Sequence, residues 1–312
     1  MLNQAETSVT PDPGRIRARI EEIYRSAKVV GEDGLEYKVF PASVTPERGA
    51  FLRDLCRAEH AVRSLEIGMA WGLSTLFILE ALAENGAGPA AHVVIDPLQS
   101  SRWHGAALRS AREAGAAAML EFHEERSELL LPRLVDANRQ FDFAFIDGNH
   151  RFDGAFVDLV FVDRLLKPGG VLIFDDVWCD PVYLVCRFAE TNLGYTMVAA
   201  HPPRRQSSPA SGPDSGMQMC AYRKPAQEPE RGVFHFEPFF DGFARRKERS
   251  LRETGMRALG EGDRVTARRA FLDALRLAPL RFNTYSRLLR TFLPTPIARA
   301  LTRHKHYPAS TS

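Results

Sequence analysis

From Ala61 to about Trp178 the chain alternates short apolar runs with longer stretches of helical periodicity. The runs are "VRSLEIG", "AHVVID", "MLEFHE", "FDFAFID" and "GGVLIFDD", with a helical stretch after each of the first four. This alternation predicts β-α-β units, and therefore an α/β fold with a doubly wound, mostly parallel sheet covered by helices on both faces. Every loop that follows a strand then lies on one rim of the sheet, where doubly wound folds bind their ligands. Upstream, Ile16, Ile20, Ile23 and Tyr24 in "PDPGRIRARIEEIYRSAKVV" recur at helical spacing. In "SVTPERGAFLRDLCR", Thr45 is placed to cap a second helix that opens with Pro46 and buries Phe51, Leu52 and Leu55.

Downstream of Trp178 the pattern predicts a helix in "PVYLVCRFAETNLG", then two antiparallel strands, "YTMVAA" and "MQMCAYRK". The segment between them, "HPPRRQSSPASGPDSG", has the Pro, Ser and Gly content of a mobile loop, and "PAQEPERG" reads as a linker. Beyond it, Gly255, Ala267, Phe271, Ala274 and Pro279 match the small, aromatic and proline positions of one tetratricopeptide unit. A single unit buries too little surface alone, so this helical pair must dock on its own domain or on a partner. An ordinary helical cap explains it equally well. The expected organisation is N-terminal helices over residues 1–60 as a substrate-side cap, a ligand-binding domain over 61–225, and a linker with a helical tail over 226–312.

Composition narrows the class. The chain has 312 residues, with 41 basic against 39 acidic, so a net charge of +2 gives no electrostatic case for nucleic acid as a main partner. The four cysteines, Cys56, Cys179, Cys186 and Cys220, have neither metal-site spacing nor disulfide-scaffold density. With no long apolar span and no apolar leader, the expectation is a cytoplasmic protein without a membrane segment.

Candidate chemistry lies where strands end. In "LEIGMAWGLSTL", Gly68 and Gly72 permit a sharp turn into a helix whose first amides are free. The dinucleotide pattern of three spaced glycines is absent, since positions 70 and 73 are Ala and Leu, and Glu66 beside the turn suits a cationic or hydroxyl-rich ligand. Asp96 closes "VVID", where a carboxylate can accept from two adjacent ribose hydroxyls or simply cap a helix. "FIDGNH" and "FDD" end two further apolar strands in Asp147, His150, Asp175 and Asp176. Carboxylates converging on one rim repel and raise their own pKa values unless a cation or basic groups intervene. Asp158 and Asp163, on the helix between them, are read as solvated.

Together, "LEIGMAWGLSTL", "VVIDPLQS", "FDFAFIDGNHRFDGAFVDLVFVDRLLKPGGVLIFDDVW" and the terminal strand pair resemble the class I S-adenosylmethionine-dependent methyltransferases. They resemble more narrowly the small-molecule O-methyltransferases related to catechol O-methyltransferase, over roughly residues 40 to 225. The resemblance implies a seven-stranded sheet and a set of roles. Glu66, Gly68, Gly72 and Ser74 would surround the methionine part of the cofactor, Asp96 would hold its ribose, and Ser127 would lie beside its adenine. Asp147, next to the cofactor, would join Asp175 and Asp176 in binding a divalent cation, with Mg²⁺ favoured by all-oxygen ligation. His150 falls where the catechol enzyme has a basic catalytic residue, and an imidazole could take the acceptor's hydroxyl proton. Two departures stand out: Ala70 replaces a glycine, and "DD" replaces an acid and an amide.

The expectation is therefore O-methylation of a small-molecule or sugar hydroxyl, assisted by Mg²⁺. A metal-independent methyltransferase and a non-catalytic cofactor-binding module with an interaction tail are the alternatives. Acceptor identity and oligomeric state, including a homo-oligomer, stay open.

Overall fold

The computed structural model describes residues 11–202, 218–227, 235–239, 243–279 and 282–293. The segment read as a mobile loop, beyond its first two residues, and most of the linker lie outside them. The described residues fall into two compact units, one up to residue 202 with 218–239 and one over 243–293.

The first unit opens with α1 (Pro13–Ser26), whose Asp12 side chain accepts from the Gly14 amide. Helical periodicity runs on toward Val30 in the sequence, but Ala27 adopts a left-handed φ of 53° and ends the helix. A short hairpin follows, β1 (Lys28–Val30) with β2 (Glu36–Lys38). In α2 (Pro46–Ala58) the Thr45 hydroxyl accepts from the Arg48 amide and Pro46 occupies the first turn, as the spacing predicts.

The sheet is built from β3 (Ser64–Ile67), β4 (His92–Ile95), β5 (Leu120–His123), β6 (Phe141–Ile146), β7 (Leu166–Phe174), β8 (Thr196–His201) and β9 (Met219–Arg223). Their order is β5-β4-β3-β6-β7-β9-β8, parallel from β5 to β7, with β9 antiparallel to both β7 and β8. Helices α3 (Leu73–Glu84), α4 (Ala106–Glu113), α5 (Ser127–Asp136), α6 (Phe152–Leu165) and α7 (Asp180–Leu193) make the crossovers and flanks.

β3, β4 and most of β6 and β7 are buried on both faces, which is why they read as continuous apolar runs. Ile16, Ile20, Ile23, Val44 and Leu52 of the N-terminal segment share one core with Leu76, Phe77 and Ile78 of α3 and with Phe143 and Phe145 of β6. The N-terminal helices are thus part of this unit's core. The winding reverses between β3 and β6, so their carboxyl ends open the crevice where such sheets take ligands.

The second unit holds α8 (Phe243–Glu261), α9 (Arg264–Leu277) and α10 (Phe282–Arg290). Ala258, Leu259, Ala267 and Phe271 form its core, with Leu288 and Leu293 packed on it. A Cβ on Gly255 would sit 2.6 Å from the Phe271 ring, so the small and aromatic positions singled out in the sequence meet across the α8–α9 pair.

Candidate active site

A cleft of about 410 Å³ opens at the switch point. Its walls come from the turn after β3 (Gly68, Met69, Ala70), the end of β4 (Asp96) and the start of α5 (Ser127). The end of β6 (Asp147, His150) and the stretch Ala42–Val44 complete it. That volume lies within the range of small-molecule sites.

The turn after β3 is shaped by Gly68. Its φ is +93°, and a Cβ there would lie 2.3 Å from the carbonyl oxygen of Asp147, so the turn crosses directly over the end of β6. Gly72 (φ +86°) precedes α3, and a Cβ on it would meet Ala107 at 2.7 Å. Gly72 therefore seats α3 against α4 and does not line the cleft. No side chain caps α3, whose first residues, Leu73 and Ser74, do line it.

Asp96 ties the surrounding loops together. One oxygen accepts from the amides of Met69 (3.0 Å) and Ala70 (2.8 Å), the other from the amide of Leu98 (2.8 Å). The Gln99 amide also reaches the first oxygen at 3.4 Å, so the position left for a ligand hydroxyl is on Oδ1, which accepts from Leu98 alone among these donors.

Glu66 is placed differently from the expectation. It is fully buried behind the turn, where it accepts from the hydroxyls of Ser74 (2.5 Å) and Thr75 (2.7 Å) and pairs with His92 Nε2 at 2.9 Å. His92 Nδ1 in turn meets the Ser64 hydroxyl at 2.7 Å. A buried carboxylate requires such partners. Ser74 thus reaches the cleft wall while its hydroxyl proton points inward to Glu66. His92 and Thr75 were missed in the sequence. The signal was a histidine and a glutamate on adjacent short strands whose only other polar residue is Ser64.

At the β6 and β7 ends, the His150 imidazole lies between two acids, its Nε2 3.2 Å from Asp147 Oδ1 and 3.4 Å from Asp176 Oδ2. The hydrogen bond to Asp147 raises the pKa of His150, with the charges of Asp147, Asp176 and Asp175 adding to it against the cost of burial. Burial likewise pushes Asp147 up, and Asp175 up to about 7, the latter with the Asp147 charge adding and Arg48 opposing. Trp178 donates to Asp176 Oδ1 at 2.8 Å, and Asp176 holds a left-handed φ of 49°.

Asp147, Asp175 and Asp176 do not converge as a set of three ligands. One Asp175 oxygen accepts from the Arg48 guanidinium and the other from the Asp176 amide at 2.6 Å, and its side chain is 1% exposed. The groups whose donor atoms do lie within 4.8 Å of one another are Asp147, His150 and Asp176. An all-oxygen Mg²⁺ site made of the three acids therefore does not fit, because both Asp175 oxygens are taken up by Arg48 and the Asp176 amide, and the third group beside Asp147 and Asp176 is an imidazole.

Residues 65–177 match the model of a family described as a methyltransferase domain. Together with the sheet order, this decides the class. Residues 65–177 carry a methyltransferase domain.

Solved structures similar to the chain include an O-methyltransferase from Bacillus cereus in complex with S-adenosylhomocysteine, at 18% identity and TM-score 0.45, covering 69% of this chain and 93% of that one. Another is the O-methyltransferase TomG from Streptomyces achromogenes, involved in tomaymycin synthesis and in complex with S-adenosylmethionine, at 20% identity and TM-score 0.47, covering 70% of this chain and 92% of that one. A search of curated proteins finds no match.

Two acids of the methyltransferase domain correct the reading of α6 as carrying solvated carboxylates. Asp163 accepts from the Tyr195 hydroxyl at 2.8 Å, and Asp158 is 1% exposed. Asp158 hydrogen-bonds Ser127 on the cleft wall, one of its oxygens has no partner, and burial raises its pKa to about 6. An acid whose folded value is raised holds a proton in the native state that the unfolded chain releases. Stability therefore falls as pH climbs from about 4 through 6, by about 3 kcal/mol in all. Asp158→Asn, which keeps the neutral shape, is expected to raise the unfolding free energy at pH 7.5 and leave it unchanged at pH 4, as urea titrations at the two pH values would read.

Proposed function

We propose that the methyltransferase domain transfers the methyl group to a hydroxyl of a small molecule or sugar, with His150 as the general base. The observation that carries this reading is the His150 imidazole at the cleft mouth, 3.2 Å from one carboxylate and 3.4 Å from another. S-adenosylmethionine, when bound, supplies an electrophilic methyl group on a sulfonium centre. The chain's part is to hold that group, align the acceptor and receive a proton.

Gly68 and Ala70 let backbone approach the ligand, the free amides of α3 suit a carboxylate, Asp96 keeps a lone pair for a ribose hydroxyl, and Ser127 stands on the cleft wall at the start of α5. With Nε2–H directed at Asp147 and Asp176, the imidazole has Nδ1 left to take the hydroxyl proton as the carbon–oxygen bond forms and the carbon–sulfur bond breaks. The two acids then stabilise the imidazolium.

Calorimetry with S-adenosylhomocysteine, followed by a screen of hydroxyl-bearing acceptors, tests the reading. One nucleoside bound per chain and methyl ether products are expected. Binding without transfer to any hydroxyl, or transfer only to amines, would sink it.

The helical second unit is proposed as a docking element for a protein or a carrier-linked acceptor, supported by the tetratricopeptide-like spacing from Gly255 to Pro279. Deleting residues 233–312 without effect on folding, partner capture or turnover would remove that role. Among the described residues no helix is long and apolar enough to cross a membrane. A reducing, cytoplasmic setting is proposed from the spacing of the four cysteines, which suits neither a disulfide scaffold nor a metal site.

A further inference from the structure

The acid cluster carries a cation of its own. Arg48 stands in the first turn of α2, 127 positions away in sequence from the acid it pairs with. Its guanidinium bonds Asp175 Oδ2 and lies 3.6 Å from Asp176 Oδ1, and its side chain is only 16% exposed. Three carboxylates gathered at two strand ends need positive charge. Arg48 meets Asp175 and reaches Asp176, while His150 meets Asp176 and Asp147.

We propose that Arg48 stands where a divalent cation would otherwise be required, which makes this a metal-independent site. Arg48 is a positioning residue: it neutralises Asp175, restrains Asp176 through it, and so keeps the imidazole of His150 between Asp147 and Asp176. A guanidinium serves this purpose because it is permanently charged and held in a planar fork. A metal ion entering among Asp147, His150 and Asp176 would have to displace the imidazole proton shared with both acids, and would meet the Arg48 charge 3.6 Å from Asp176 Oδ1. Removing Arg48 would leave Asp175 buried and uncompensated, and an uncompensated acid pair recruits a cation from solution. The inference deepens the methyl-transfer reading and rests on it.

The test is electron paramagnetic resonance of free Mn²⁺ titrated with the full chain, in the wild type, Arg48→Met and Arg48→Lys, alongside S-adenosylhomocysteine calorimetry on each. The wild type is expected to leave the free Mn²⁺ signal unchanged, and its turnover to survive EDTA. Arg48→Met is expected to take up one Mn²⁺ at least about tenfold more tightly than wild type, with the uptake lost on adding Asp176→Asn. Arg48→Lys, which keeps the charge without the fork, should resemble the wild type in Mn²⁺ uptake.

Uptake of one Mn²⁺ by the wild type, abolished by Asp147→Ala with Asp176→Ala, would overturn the proposal. So would a nucleoside-binding Arg48→Met variant that takes up none. If Arg48→Met does not fold, the wild-type titration and Arg48→Lys still decide, since Mn²⁺ uptake by either rejects the proposal. Failure of the wild type to bind the nucleoside would instead count against the methyltransferase reading itself.

Discussion

Replacing His150 with glutamine is expected to lower kcat by about 10²- to 10⁴-fold, the usual worth of a positioned general base, with little change in affinity for S-adenosylhomocysteine. Glutamine retains a donor for Asp147 and Asp176 but cannot take up a proton. The wild-type pH profile should carry the signature of the same group. Its pKa lies above the ordinary imidazole value because the hydrogen bond to Asp147, and then the surrounding acids, favour the charged ring. A base works only when deprotonated, so kcat/KM should fall as pH drops through that raised value. Asp147→Asn removes the first of those influences and should shift the acidic limb to lower pH. An acidic limb that does not move in Asp147→Asn, or a His150→Gln variant with near-normal kcat, would assign the proton to another acceptor.

The second large effect is expected at Gly68. A methyl group on this residue would lie 2.3 Å from the Asp147 carbonyl oxygen, and its φ of +93° is one that L side chains rarely adopt. Gly68→Ala must therefore lift the turn off the end of β6, and with it the Met69 and Ala70 amides that Asp96 holds. A backbone cost of roughly 3 kcal/mol corresponds to about 10²-fold in affinity, so nucleoside binding should weaken by at least that factor in calorimetry. Gly86→Ala is the matched control. It has φ +78° but nothing within 4 Å of its new methyl group, and it lies outside the cleft. It should lose some stability and retain nucleoside affinity. Equal losses of affinity in the two variants would place the effect in general backbone strain instead of the turn's approach to Asp147.

The metal question separates what local pattern conveys from what packing conveys. "FDD" after an apolar strand announces two acids at a sheet rim, and the resemblance to catechol O-methyltransferase turns them into ligands. Arg48 changes that reading. It comes from a helix that the sequence places upstream of the whole sheet, and nothing in "TPERGAF" marks its arginine as the partner of an acid far along the chain. Glu66 makes the same point. Beside a glycine turn it reads as a ligand contact, yet the strand that carries it is buried along its length, and His92, Ser74 and Thr75 take up both of its oxygens.

The sequence by itself determined the winding of the sheet, the turn at Gly68 and the rim that carries Asp96, Asp147, His150, Asp175 and Asp176. These follow from short-range rules: continuous apolar runs alternating with stretches of period 3.6, glycine at positive φ, and polar residues where a buried strand meets solvent. The tertiary structure alone decided which polar groups face the cleft and which face one another. Arg48 against Asp175, His92 against Glu66 and Asp158 against Ser127 are contacts between elements far apart in the chain. Spacing along a sequence carries no distance across a fold, whereas a charge buried in a low-dielectric interior is compelled to find its partner wherever the packing brings one.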